Sequence, residues 1–90
     1  MKTIKLTVSG SVQGVTFRQF VRDNADRLGI RGFVRNLEDG RVEIVAEGKD
    51  EMVNELIDRC KKGPPHANVK ETEVRDIKNQ GFDDFKISSM

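Results

Sequence analysis

The 90-residue chain has no tryptophan and no tyrosine, one histidine and one cysteine. Cys60 alone cannot form a disulfide framework or a cysteine-based metal cluster. His66 alone does not supply the clustered ligands of a zinc or copper site, so no metal and no cofactor is expected. No apolar run is long enough to cross a bilayer, and no membrane partner is expected. Neither sign of charge prevails: 16 Lys and Arg stand against 15 Asp and Glu, a net charge of +1. The strongly basic footprint of a dedicated nucleic-acid binder is missing. The opening Met1-Lys2-Thr3-Ile4-Lys5 runs straight into an alternating segment, which is not signal-peptide organisation. A lone cysteine without an export signal points to a reducing cytoplasm.

What is present is a soluble, globular balance, 36% hydrophobic and 34% charged. A chain of this size buries only about 60–65% of its unfolded surface, so one core and a single domain over 1–90 are expected.

The first segment alternates with period two. Ile4, Leu6 and Val8 share one face, and Lys5, Thr7 and Ser9 share the other, which predicts a half-buried strand ending at Gly10. Phe17, Phe20, Val21, Asn24, Ala25 and Leu28 then recur at spacings of three and four, an amphipathic helix closed by Gly29. Ile30 to Asn36 reads as a second strand. Asp39-Gly40 within Leu37–Gly40 signals a hairpin, because both residues tolerate the positive φ of a tight turn. Val42, Ile44 and Ala46 alternate with Arg41, Glu43, Val45 and Glu47 in a third strand. Asp50 and Glu51 suit the start of a second helix, and Lys61 and Lys62 suit its end. Val53, Leu56, Ile57 and Cys60 form the apolar stripe of that helix, and Gly63-Pro64-Pro65 stops it. Val69 to Ile77 alternates weakly and is expected at an edge. Phe85 and Ile87 belong to a possible short fifth strand.

The order βαββαβ(β) predicts an α+β, ferredoxin-like sandwich. Its antiparallel sheet carries both helices on one face, which buries the apolar side of each.

The link between the first strand and the first helix holds the chemistry. The first amides of a helix have no partner inside it and make a ready anion site. Gly14 lets the backbone approach a ligand closely, and Arg18 could grip two phosphate oxygens at once. On physical grounds alone, a loop glycine and an early helical arginine are common features, and Asn36 is an ordinary residue beside a turn.

The residues in order say more. Gly10-Ser11-Val12-Gln13-Gly14-Val15-Thr16-Phe17-Arg18 resembles the acylphosphatase signature Gly-x-Val-Gln-Gly-Val-x-Phe-Arg. Gly32-Phe33-Val34-Arg35-Asn36-Leu37-Glu38-Asp39-Gly40-Arg41-Val42-Glu43 is similar to the second block of that family, with Phe33 where Trp is frequent. Gly63-Pro64-Pro65-His66-Ala67-Asn68-Val69 resembles the third.

The resemblance implies a metal-free hydrolase that splits acyl phosphates into a carboxylate and inorganic phosphate. It implies that Arg18 binds the phosphoryl group and that Asn36 orients the water. The loop Gln13, Gly14, Val15, Thr16, Phe17 and Arg18 would cradle the phosphate through its amides. The expected partner is a small acyl phosphate and the expected state a monomer. The chemistry is coherent. The leaving carboxylate comes from an acid of pKa about 4, so it departs without a general acid. Phosphoryl transfer depends mainly on positioning and charge stabilisation.

Other residues point elsewhere. Cys60 is expected buried and inert, His66 at the surface, and Arg35 on the face opposite Asn36. The alternative function is a non-catalytic nucleic-acid-binding or small-ligand module of the same fold. An RNA-binding surface would need aromatics on the central strands. The first strand offers Lys5, Thr7 and Ser9, and the third has no aromatic.

Overall fold

The computed structural model describes residues 1–88. Its elements are β1 (Lys2–Ser11), α1 (Val15–Arg27), β2 (Arg31–Asn36), β3 (Val42–Gly48), α2 (Asp50–Lys62), β4 (Asn68–Asp76) and β5 (Phe85–Ile87). The strands form one sheet in the order β4-β1-β3-β2-β5.

Register places the apolar residues. Ile4 pairs with Ala46, Leu6 with Ile44 and Val8 with Val42, so the alternating apolar sets of β1 and β3 face the same way. Both helices cover that face. α1 lies on β2 and β5, and α2 lies on β1, β3 and β4. Val21 and Ala25 from α1 and Val53, Leu56, Ile57 and Cys60 from α2 complete one continuous core. Each large aliphatic side chain buried there contributes about 1.5–3 kcal/mol. Burial also pushes the Cys60 thiol up to about 12, which keeps it protonated and unreactive. Asn24 is buried, and both polar atoms of its side chain have a partner. It donates to the Phe20 carbonyl at 2.8 Å and accepts from Arg59 Nη1 at 3.0 Å, which ties α1 to α2. α1 ends with Gly29 N–H on the Asp26 carbonyl and Ile30 N–H on the Ala25 carbonyl, a paired closure around the expected glycine.

Three features differ from the sequence reading. β1 does not stop at Gly10 but continues to Ser11, with a shift in its pairing to β4 between Ser9 and Gly10. At Gly10 the backbone of β4 comes so close that a Cβ would run into the Asn68 carbonyl. The sheet is mixed and not purely antiparallel, because β5 runs parallel to β2. β4 descends toward the end of the sheet where β2 begins. A chain that crosses at that end can only run upward beside β2. Finally, β3 is buried along its whole length, including its charged positions.

Two carboxylates therefore lie under cover on the face away from the helices. Glu43 accepts from Arg35 Nε at 2.9 Å. Glu47, 1% exposed, accepts the backbone N–H groups of Gln80 at 3.0 Å and Gly81 at 2.9 Å. These bonds hold the segment that crosses from β4 to β5. Burial by itself would raise the Glu47 pKa. The amides of Gly81, Gln80 and Phe82, together with the field of Arg31, outweigh it and hold the carboxyl below its ordinary value.

A carboxyl whose folded pKa is lowered stabilises the fold fully above its unfolded value of 4.5, and that contribution is lost as pH falls through the folded pKa. Glu47→Gln is therefore expected to lower the urea midpoint at pH 7. The gap from wild type should close as the pH drops below 4.5. A gap of equal size at pH 7 and pH 3 would show that the charge of Glu47 is not what stabilises the crossover.

Candidate active site

The β1–α1 connection is pinned to the core at both ends. Val12 and Phe17 are buried, while Gln13, Gly14 and Thr16 between them are exposed. Gly14 is the residue that opens α1, with φ 116° and ψ 164°, and no side chain caps the helix. That conformation is essentially reserved for glycine. The Arg18 N–H reaches back to the Gly14 carbonyl at 3.4 Å, the first bond of the helix. The amides of Val15, Thr16 and Phe17 are thus the uncapped donors of the first turn. Of the loop amides expected to cradle an anion, that of Arg18 is already engaged.

Charge around this end is one-sided. α1 has no acidic residue in its first turn, so the helix itself supplies no charge against the positive end of its dipole. Arg18 adds a full positive charge. Its Nε donates to the Gly14 carbonyl at 3.4 Å, which turns the guanidinium back over the loop. Among the described residues Arg18 forms no salt bridge.

Asn36 is the last residue of β2 and pairs with Val42 at the base of the β2–β3 hairpin. Its Oδ1 is buried and has no hydrogen-bond partner. An orphaned acceptor of this kind costs about 1–3 kcal/mol. The hairpin behind it is firmly closed. Leu37 N–H donates to the Arg41 carbonyl at 2.8 Å, and Arg41 N–H donates to Asp39 Oδ1 at 3.1 Å. Arg41 Nε reaches Asp39 Oδ2 at 2.8 Å. The Arg41 amide and then its guanidinium hold the Asp39 carboxyl below its ordinary range.

Arg18 and Asn36 make no hydrogen bond to each other. Their elements are joined by Gln13. Its Nε2 donates to the Leu37 carbonyl at 3.0 Å and to the Arg41 carbonyl at 3.4 Å. The residue before Gly14 therefore clasps the residue after Asn36. The motif marked Gln13 only as one amide of a loop, and the clasp depends on a long-range approach with no local pattern. Arg35 stands apart, paired with Glu43 and lying 5.9 Å from the Phe33 ring centre.

Comparison with known proteins identifies the family. Residues 4–87 match the family described as Acylphosphatase. The chain belongs to the acylphosphatase family. It is 49% identical to the acylphosphatase of Syntrophus aciditrophicus over 97% of this chain and 92% of that protein. It is 53% identical to the acylphosphatase of Rubrobacter xylanophilus over 83% of this chain and 68% of that one. The crystal structure of acylphosphatase from Bacillus subtilis superposes with a TM-score of 0.93 at 37% identity, covering 98% of this chain and 99% of that chain. Acylphosphatases act on small acyl phosphates.

Gly14 can be tested apart from activity. A Cβ there would meet no atom within 4 Å, so a substitution strains the backbone and nothing else. Gly14→Ala is expected to destabilise the protein by about 1–3 kcal/mol, read from urea unfolding. Unchanged stability would mean that the loop relaxes freely and is not held in its observed form.

Proposed function

We propose that the protein hydrolyses acyl phosphates by direct attack of water on phosphorus, within a single domain spanning 1–90. The amides of Val15, Thr16 and Phe17 and the Arg18 guanidinium hold the phosphoryl oxygens, and Asn36 orients the water. The observation that carries this reading is the uncapped first turn of α1, with Arg18 turned back over it, clasped through Gln13 to the hairpin that bears Asn36.

The arrangement suits the reaction. A carboxamide at position 36 can accept a hydrogen bond from water through its oxygen while its NH₂ donates to a phosphoryl oxygen. A carboxylate there would repel the anionic substrate. The water oxygen forms a bond to phosphorus as the bond from phosphorus to the acyl oxygen breaks. The carboxylate leaves with that electron pair, and the proton of water passes to the phosphate product or to solvent. The leaving group comes from an acid of pKa about 4, so the site needs no general acid. Charge building on the phosphoryl oxygens meets Arg18 and the helix end, both already in place.

Metal-independent turnover is part of the proposal, as are a monomer, a cytoplasmic setting and no nucleic-acid or membrane partner. The near-zero net charge supports the absence of a nucleic-acid partner, and the free Cys60 suits a reducing compartment. β1 and β3 offer no aromatic for base stacking, and Phe33 on β2 is engaged edge-on with Phe82 at 5.9 Å.

Benzoyl phosphate hydrolysis with EDTA present is the direct test. Clear turnover is expected, and a folded but inactive protein would end the proposal. Asn36→Ala should retain inorganic phosphate binding and lose turnover on the order of 10²-fold or more, as when a key transition-state donor is removed. A variant with near wild-type turnover would take Asn36 out of the mechanism. Arg18→Gln should lose phosphate affinity as well as turnover. A phosphate titration indistinguishable from wild type would contradict its assigned place.

A further inference from the structure

The acyl half of the substrate left no mark on the sequence, but the fold leaves room for it. A concavity of about 170 Å³ lies beside the loop, walled by Thr16 and Phe17 on one side and by Pro64, His66 and Ala67 on the other. Its lining is mostly apolar. Phe17 and Pro64 are buried beneath it, Ala67 is half-buried, and His66 stands exposed at the rim. The turn that forms the far wall is closed by Ala67 N–H on the Pro64 carbonyl at 3.0 Å. A dry apolar cavity of about 150 Å³ is enough to accept benzene.

Its position is set by the sheet. β1 lies between β4 and β3, so the loop leaving β1 is flanked on two opposite sides. Val8 pairs with Val42 at the hairpin that carries Asn36, and Ser11 pairs with Asn68 beside the Pro64–Ala67 turn. Attack in line with the leaving group requires the water and the acyl oxygen to lie on opposite sides of phosphorus. With the water on the hairpin side, the acyl group departs toward the turn. That side is where the concavity lies, and Gln13 and Thr16 of the loop belong to its wall.

We infer that the Phe17–Pro64–Ala67 concavity is the acyl subsite and that it selects apolar, ring-sized acyl groups. This rests on the proposed function, since the loop must hold the phosphoryl group for the acyl group to reach the concavity.

Two non-hydrolysable probes test it on the full chain: acetonylphosphonate and phenacylphosphonate, in which CH₂ replaces the bridging oxygen of acetyl and benzoyl phosphate. Phenacylphosphonate is expected to bind tighter on the order of tenfold, from apolar surface removed from water. Ala67→Leu, which fills the concavity, should bring the two constants together while acetonylphosphonate and inorganic phosphate bind as before. Should Ala67→Leu fail to fold, amide shifts on adding phenacylphosphonate to the wild type decide the matter. Beyond the shifts that inorganic phosphate alone produces in the loop, they are expected at His66 and Ala67, and further shifts centred on Phe33 and Phe82 would overturn the assignment. Equal binding of the two probes overturns the acyl subsite alone. If neither probe nor inorganic phosphate binds, the phosphate site itself falls, and the subsite with it.

Discussion

The Gln13 carboxamide has two N–H groups, and the base of the β2–β3 hairpin presents two carbonyls to them, those of Leu37 and Arg41. Each bond is worth only about 1 kcal/mol to stability. Its larger consequence is positional. One residue beyond Gln13 the backbone takes the form that opens α1, and one residue before Leu37 stands Asn36. The clasp thus sets the separation between the group proposed to hold phosphorus and the group proposed to hold water. A misplacement of about 1 Å in such a pair can cost on the order of 10²-fold in rate. Val12 and Phe17, sunk in the core on either side of the loop, keep it from following Gln13 away.

The charges nearby are arranged to leave one of them free. Asp39 is occupied by Arg41, and Glu43 by Arg35. Both of these acids are thus engaged by arginines of their own hairpin, while Arg18 forms no salt bridge among the described residues. An uncapped helix end and an orphaned Asn36 oxygen each cost stability when considered singly. Together they describe a place shaped for an anion and a water, with the strain concentrated where the chemistry is proposed to occur.

Much of this could be read from residue order because it depends on local pattern. The α2 stripe of Val53, Leu56, Ile57 and Cys60 follows from helical spacing alone, and all four are buried. The hairpin follows from Asp39-Gly40, and the edge position of β4 from its weak alternation. What could not be read depends on distant neighbours. Glu43 and Glu47 look like a solvated strand face until β3 is placed at the centre of the sheet. The parallel course of β5 depends on which end the crossover takes, and periodicity in Phe85 and Ile87 carries no direction. The motif named Arg18 and Asn36, but periodicity could not show that a glutamine between them in the fold would join their elements. The concavity is legible only once Pro64–Ala67 is brought beside Phe17.

The crossover connects these distant features to the site. β5 and β2 together form the floor on which α1 rests, and Phe85 enters the core from β5. β5 spans only three residues, so its place depends on the segment that delivers it. That segment is held by Glu47 through the Gln80 and Gly81 amides, and by Thr3 Oγ1 against Asn79 Oδ1 at 2.7 Å. A carboxylate at the foot of the sheet therefore steadies the helix whose opposite end faces the proposed phosphate. The proposed chemistry uses no titrating acid. Acid can then weaken the enzyme through the floor beneath α1 without protonating any side chain at the reacting atoms.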